Sequence, residues 1–196
     1  MSDWVTAFIF TDKSQIIINE LQREMKSDVV VIILCIIYLL YVVIAKIRKI
    51  DYFDRKLVPV VLFILVIGIS SLPDDYKRLQ YFQGGYAKLA TIYENQAYKI
   101  AEGVVRVQYM QPAGGHTAGD IIRVDDVEIE LSCFSSTFGY NETIAYGGVL
   151  TEGTLAKIYY YQSGTEFPDQ NLILRIDLLN NKSSMNENST ILRCTR

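Results

Sequence analysis

His116 is the single histidine of this sequence, so any imidazole chemistry has to pass through it. It sits in a glycine-rich stretch, Ala113 to Gly119 (AGGHTAG), which gives a general base little to hold its orientation. Ser132, Ser135 and Ser136 are the serines a hydrolytic triad would draw on, but three alternatives without a nucleophile-elbow motif mark no triad. One histidine with two well-separated cysteines, Cys133 and Cys194, matches no zinc spacing. The glycine-rich stretches at 114–119 and 147–153 do not follow the strand, turn and helix order of a phosphate-cradling loop. The expectation is a protein that is no enzyme and has neither metal nor cofactor.

Binding chemistry is better represented. Ser135 to Gly148 (SSTFGYNETIAYGG) carries Phe138, Tyr140, Asn141 and Tyr146, and aromatic rings among Asn, Ser and Gly are the composition of recognition loops. With His116 these residues form the expected binding rim. The competing reading is that Phe138 and Tyr146 plug the end of the domain. A net charge of −3 excludes the clustered cations that nucleic acid requires, so nucleic acid is not an expected partner.

The elements that must position these residues begin with two apolar runs. Val29 to Ala45 and Leu57 to Leu72 hold no charged residue and no polar stripe, so they read as two transmembrane helices in contact with the lipid bilayer. At seventeen and sixteen residues both are near the lower limit for spanning. Snorkelling by Lys46 and Arg48, with Tyr52 and Phe53 at the interface, makes up the difference. A homo-oligomer through these helices is a natural expectation. A secretory signal fails on position and on the basic residues that follow the first run.

The connector carries Lys46, Arg48, Lys49, Arg55 and Lys56, which sets it on the cytoplasmic side and sends both termini outward. Cys133 and Cys194 would then meet an oxidising compartment and can pair, tying down the polar tail; the alternative role for Cys133 is a small core hydrophobe.

Residues 1–28 read as an interfacial segment, with Trp4, Val5, Phe8, Ile9 and Phe10 as an apolar patch and Ser14 capping a helix that runs to Met25. The alternative is that this segment continues the first transmembrane helix. Residues 29–72 form the two-helix hairpin, and 73–96 form a helical stalk with a break at Gly84–Gly85. Over 97–179 the hydrophobic period changes to two. A long strand from Tyr98 to Met110 bends at Glu102–Gly103, and Asp120 to Val124 and Val127 to Phe134 flank an Asp125–Asp126 turn. Leu155 to Gln162 and Asn171 to Leu178 complete the set, the last placing Leu172, Leu174, Ile176 and Leu178 inward and Arg175 and Asp177 outward. The fold class is α+β: two transmembrane helices, a stalk, and a small antiparallel β-barrel of five to six strands, OB-like or SH3-like, with a β-sandwich as alternative. Residues 180–196 form a polar tail.

Glu102-Gly103-Val104-Val105, the Pro112 to His116 stretch, Phe138-Gly139 with Asn141 and Thr143, Gly147-Gly148, Glu152-Gly153 and Ile173 to Asp177 together resemble an uncharacterised bacterial domain of small membrane-anchored proteins. The resemblance covers residues 98–178 and departs from the family pattern at Val149, where a proline is usual, and around Gly164 to Gln170. It implies a small β domain behind an N-terminal anchor and a bacterial origin, and assigns no activity.

The functional expectation is a multi-pass accessory protein of the bacterial inner membrane whose periplasmic barrel binds a protein or envelope component, with an immunity or exclusion protein as one concrete form. The alternative is a defence effector whose cytoplasmic barrel senses a nucleotide signal. Alkaline phosphatase fused after Arg196 is expected to be active, and a fluorescent protein that matures only in the cytoplasm is expected to stay dark there. The reverse pattern would favour the effector.

Overall fold

A computed structural model describes residues 3–48, 57–112, 118–134, 137–164 and 171–179. They fall into two compact units, one of residues 15–85 and one that joins residues 1–14 to 86–196.

Helix α1 runs from Phe10 to Ile47 and helix α2 from Leu57 to Glu94. At 38 residues each they are about 57 Å long, nearly twice the roughly 30 Å of a bilayer core, and both are long and apolar enough to cross a membrane. The apolar runs are therefore segments of longer helices, which removes the concern over their length. Val30, Leu34, Ile37, Leu40 and Val43 on α1, and Val60, Phe63 and Val66 on α2, are exposed, as a lipid-facing surface requires. Where the two helices meet, the space a Cβ on Gly68 would take is 3.0 Å from the Ile32 side chain.

The helices correct three expectations. Ser14 is no cap: α1 has already begun at Phe10, and the Ser14 hydroxyl donates to the Thr11 carbonyl one turn back. The stalk is not separate from the second apolar run, because α2 passes through Pro73 and through Gly84–Gly85 without interruption. Nor is the segment 1–28 a separate element: from Phe10 onward it belongs to the helix that carries the first apolar run. Trp4–Ile9 is strand β1, and it leads directly into α1.

Six further strands come from the region after α2: β2 (Lys99–Val104), β3 (Arg106–Tyr109), β4 (Asp120–Val124), β5 (Val127–Leu131), β6 (Leu155–Gln162) and β7 (Asn171–Leu179). All pairings are antiparallel. They make two sheets, β1-β7-β6-β2 and β3-β4-β5, rather than a closed barrel. The strand expected from Tyr98 to Met110 does bend, but at Val105, where it leaves one sheet and enters the other. Val105 is fully buried at that corner, its N–H donating to Thr154 and its carbonyl accepting from Gly153.

Among the described residues, no strand pairing joins β5 to β7. There the segment 137–141 lies along the first half of β7, with the Tyr140 N–H donating to the Ile173 carbonyl at 3.1 Å and Asn141 Nδ2 to the Ser132 carbonyl at 3.4 Å. Only a glycine permits this approach: a Cβ on Gly139 would stand 2.6 Å from the Ile173 carbonyl oxygen. The hairpin of β4 and β5 turns at Asp125–Asp126 as its sequence indicates, with Asp125 at a φ of 54°.

One core serves both sheets, drawing Ala101, Val105, Ile122, Val124, Ile129 and Leu131 together with Ala156, Ile158, Ile173 and Ile176. The simple alternation expected in β7 fails because a bulge between Tyr159 and Tyr160 shifts its register. Ile173 and Ile176 enter the core, Leu172 and Leu174 are buried outside that cluster, and Asp177 is only 3% exposed.

Two glycine substitutions should separate close packing from helix propensity. Gly139→Ala is expected to lower the melting temperature by forcing the 137–141 segment off β7. Gly84→Ala, with nothing within 4 Å of its new methyl group, should stabilise by about 0.5–1 kcal/mol in thermal unfolding.

Candidate functional site

Two of the expected rim residues, Phe138 and Tyr140, are buried. Phe138 is 1% exposed and packs edge-on against Tyr86 at 5.1 Å between ring centres. Tyr140 is 5% exposed, meets the Phe8 ring at 5.0 Å, and its hydroxyl accepts the Val149 N–H at 2.7 Å. Burial pushes the Tyr140 hydroxyl well above the usual phenol range, so it stays protonated. Asn141 Oδ1 accepts from Lys13 Nζ at 2.8 Å, and the same ammonium donates to the Gly139 carbonyl. Tyr146 is half-buried against Phe134. Phe138 and Tyr140 thus pack inward, Asn141 and Tyr146 stay half-exposed, and His116 lies outside the described residues.

Cys133 is disulfide-bonded and Cys35 is free, while Cys194 lies outside the described residues. Of the connector charges, Lys46 and Arg48 are described and Lys49, Arg55 and Lys56 are not. Ser132 Oγ accepts from the Phe134 N–H. Ser135 and Ser136 are also outside the described residues, and among those described no group of three His, Cys, Asp or Glu residues could hold a metal ion.

A buried carboxylate was not legible in the sequence. Asp120 is fully buried, accepting the Gln111 N–H on Oδ1 and the Ile144 N–H on Oδ2, each at 2.6 Å. Both oxygens are used to join separate stretches of backbone, which makes Asp120 a staple. A small polar cavity nearby, lined by Glu130, Ser132, Thr137, Tyr140, Asn141 and Asn171, has room for about one water.

The four-stranded sheet offers a more informative arrangement. Antiparallel register puts Thr6, Asp177, Lys157 and Glu102 in one row across β1, β7, β6 and β2, with Arg175, Tyr159 and Ile100 in the next. Asp177 Oδ1 accepts from Thr6 Oγ1 and from Arg175 Nε, both at 2.8 Å. Arg175 also donates to Thr6 Oγ1 at 3.0 Å and to the Tyr93 hydroxyl at 3.4 Å, and its guanidinium lies 5.1 Å from the Tyr159 ring centre. Lys157 pairs with Glu102 at 2.8 Å and sits 5.0 Å over the Trp4 ring. Tyr98 stacks on Tyr93 at 5.4 Å and meets Tyr159 edge-on at 5.5 Å. Trp4, Tyr93, Tyr98 and Tyr159 are all half-buried, each leaving part of its ring to solvent.

The electrostatics of this face are self-contained. Hydrogen bonding to Asp177 and then to Tyr93 holds Arg175 charged, and the Glu102 hydrogen bond raises Lys157. Burial works to raise the Asp177 carboxyl, but hydrogen bonds from Arg175 and Thr6 and the Arg175 charge outweigh it, so it lies below the usual carboxylate range. Two cations face two anions, which leaves neither Arg175 nor Lys157 to neutralise a phosphate. With no nucleophile set against a base, the face is suited to contact. It combines the Trp, Tyr and Arg residues that dominate protein interfaces with positions fixed in advance by ladder and ion-pair geometry. The sequence showed Arg175 and Asp177 as ordinary outward charges; only the membership of β1 in the sheet brings Thr6 and Trp4 to them.

Because the folded Asp177 carboxyl titrates below its unfolded value, its contribution is complete above about pH 4 and is lost as pH falls through the lower folded value. Amide exchange in β1 is therefore expected to rise in acid, and Asp177→Asn should show that faster exchange at neutral pH with a flatter pH dependence. No family model, curated protein or solved structure matches the chain.

Proposed function

We propose that this is a two-pass accessory protein of a bacterial inner membrane whose extracytoplasmic β unit binds another protein or an envelope component through the face of Trp4, Tyr98, Tyr159 and Arg175. An immunity or exclusion protein is the concrete form of this reading. The observation that carries it is the half-exposed array of one tryptophan, three tyrosines and an arginine, set beside two ion pairs and the Thr6–Asp177 hydrogen bond on a four-stranded sheet.

Topology supports the extracytoplasmic side. The five basic residues between the apolar runs favour a cytoplasmic connector, and β1 and β2, which flank the two helices in sequence, lie in one sheet. A disulfide at Cys133 suits an oxidising compartment. The nucleotide-sensing alternative would need cations free for phosphate, and the two on this face are already paired.

A photoreactive amino acid in place of Tyr98 in intact cells tests the reading. The expected result is an adduct of discrete mass with an envelope protein or polymer, reduced about thirtyfold by Arg175→Ala, the loss at which an interface hot spot begins. An equivalent probe at Glu128 on the other sheet should give no such adduct. Equal labelling from both positions, or none from either, would overturn the proposal.

A further inference from the structure

The described strands leave four open sheet edges: β1 and β2 on one sheet, β3 and β5 on the other. An open edge offers unpaired N–H and C=O groups to any other strand, and proteins guard against this with charge, proline or blocking groups. Three of the four edges are guarded. Lys99 and Glu102 lie on β2. On β3, Arg106 carries charge and the Val107 N–H is taken by the Glu152 carboxylate. Glu128 and Glu130 lie on β5, and the Glu128 carbonyl accepts from Asn171.

Strand β1 differs from these three. Its six residues, WVTAFI, include no charge, proline or glycine, and Val5, Thr6 and Ala7 are exposed. A single irregularity between Thr6 and Phe8 is its only interruption. We infer that the free edge of β1 is an interface with β1 of a second copy of this chain, extending the four-stranded sheet across a two-fold axis.

Two observations select a second copy over a foreign strand. The strand is uncharged, so pairing with itself opposes no like charges, whereas β5 against β5 would set glutamates against glutamates. It also leads into α1 without a linker, so the β1 strands of two copies are tethered to one bilayer. Confinement to the membrane plane raises the effective concentration of that pairing, an advantage no soluble strand shares. The contact involves an edge, not the aromatic face, so it stands whether or not that face has a partner. It also differs from association through the helices, which would use the exposed apolar rows of α1 and α2.

The full-length chain in bilayers, with Cys35 replaced by serine and the Cys133 disulfide kept, provides the test. Cysteine introduced at Val5 or Ala7 is expected to give an oxidised dimer, and cysteine at Ile100 on the opposite edge is not. Ala7→Lys should weaken dimerisation up to about fivefold, the scale of a like-charge repulsion across strands, and mixing Ala7→Lys with Ala7→Glu copies should restore it. Retention of the Cys133 disulfide and of far-UV circular dichroism reports that these variants fold. A monomer at every protein density, a dimer indifferent to Ala7→Lys, or cross-linking at Val5 to some other protein would overturn the inference.

Discussion

The pairing of β1 with β7 ties together parts of the chain that are far apart in sequence. Trp4 faces Leu179 and Ile9 faces Arg175, so the residues before the first helix are hydrogen-bonded to the last described strand. Chain connectivity then requires both helices to leave from and return to one folded unit, because β1 runs straight into α1 and β2 begins within a few residues of the end of α2. The same pairing brings Thr6 to Asp177 and Trp4 to Lys157, which completes the polar and aromatic face. Without β1, Asp177 would keep Arg175 but lose a hydroxyl donor, and β7 would become an open edge.

Buried polar groups hold the remaining joints. Asp120 accepts two backbone N–H groups from segments more than thirty positions apart, and Lys13 in the first turns of α1 donates to Gly139 and Asn141. Asp120 exchanges hydration for charge-assisted hydrogen bonds, so removing one partner would leave a desolvated group without compensation, whereas Lys13 is only half-buried. Several residues that suggested a family resemblance serve this framework. Gly139 allows the segment 137–141 to lie on β7, the Thr143 carbonyl accepts from Tyr146 and Gly148, and Gly153 turns the chain at a φ of 81° beside Val105. A pattern built of such residues reports a backbone path rather than a ligand.

The two apolar runs, the change of period near residue 97, the Asp125–Asp126 hairpin and the alternation of β5 were all legible in the sequence. Each is a local pattern, set by which side chains recur on one face of a helix or strand. Trp4–Ile9 was not legible, because six apolar and small residues ahead of a hydrophobic helix fit an interfacial segment as well as an edge strand, and its partner lies some 170 positions away. The aromatic loop was misleading for a related reason. Phe138 and Tyr140 have the composition of a recognition surface, but composition does not say on which side of the backbone a ring is buried.

The sequence by itself determined two helices long and apolar enough to cross a membrane and a small antiparallel β region, since these follow from residue type and short spacing. Tertiary structure alone decided that the sheets stay open, that the N-terminus joins one of them, and that Thr6, Glu102, Lys157, Arg175 and Asp177 form one connected face. The physical reason is register. Which side chains meet across strands depends on long-range hydrogen-bond pairing and on bulges such as that between Tyr159 and Tyr160, and neither is encoded in the local periodicity of any one strand.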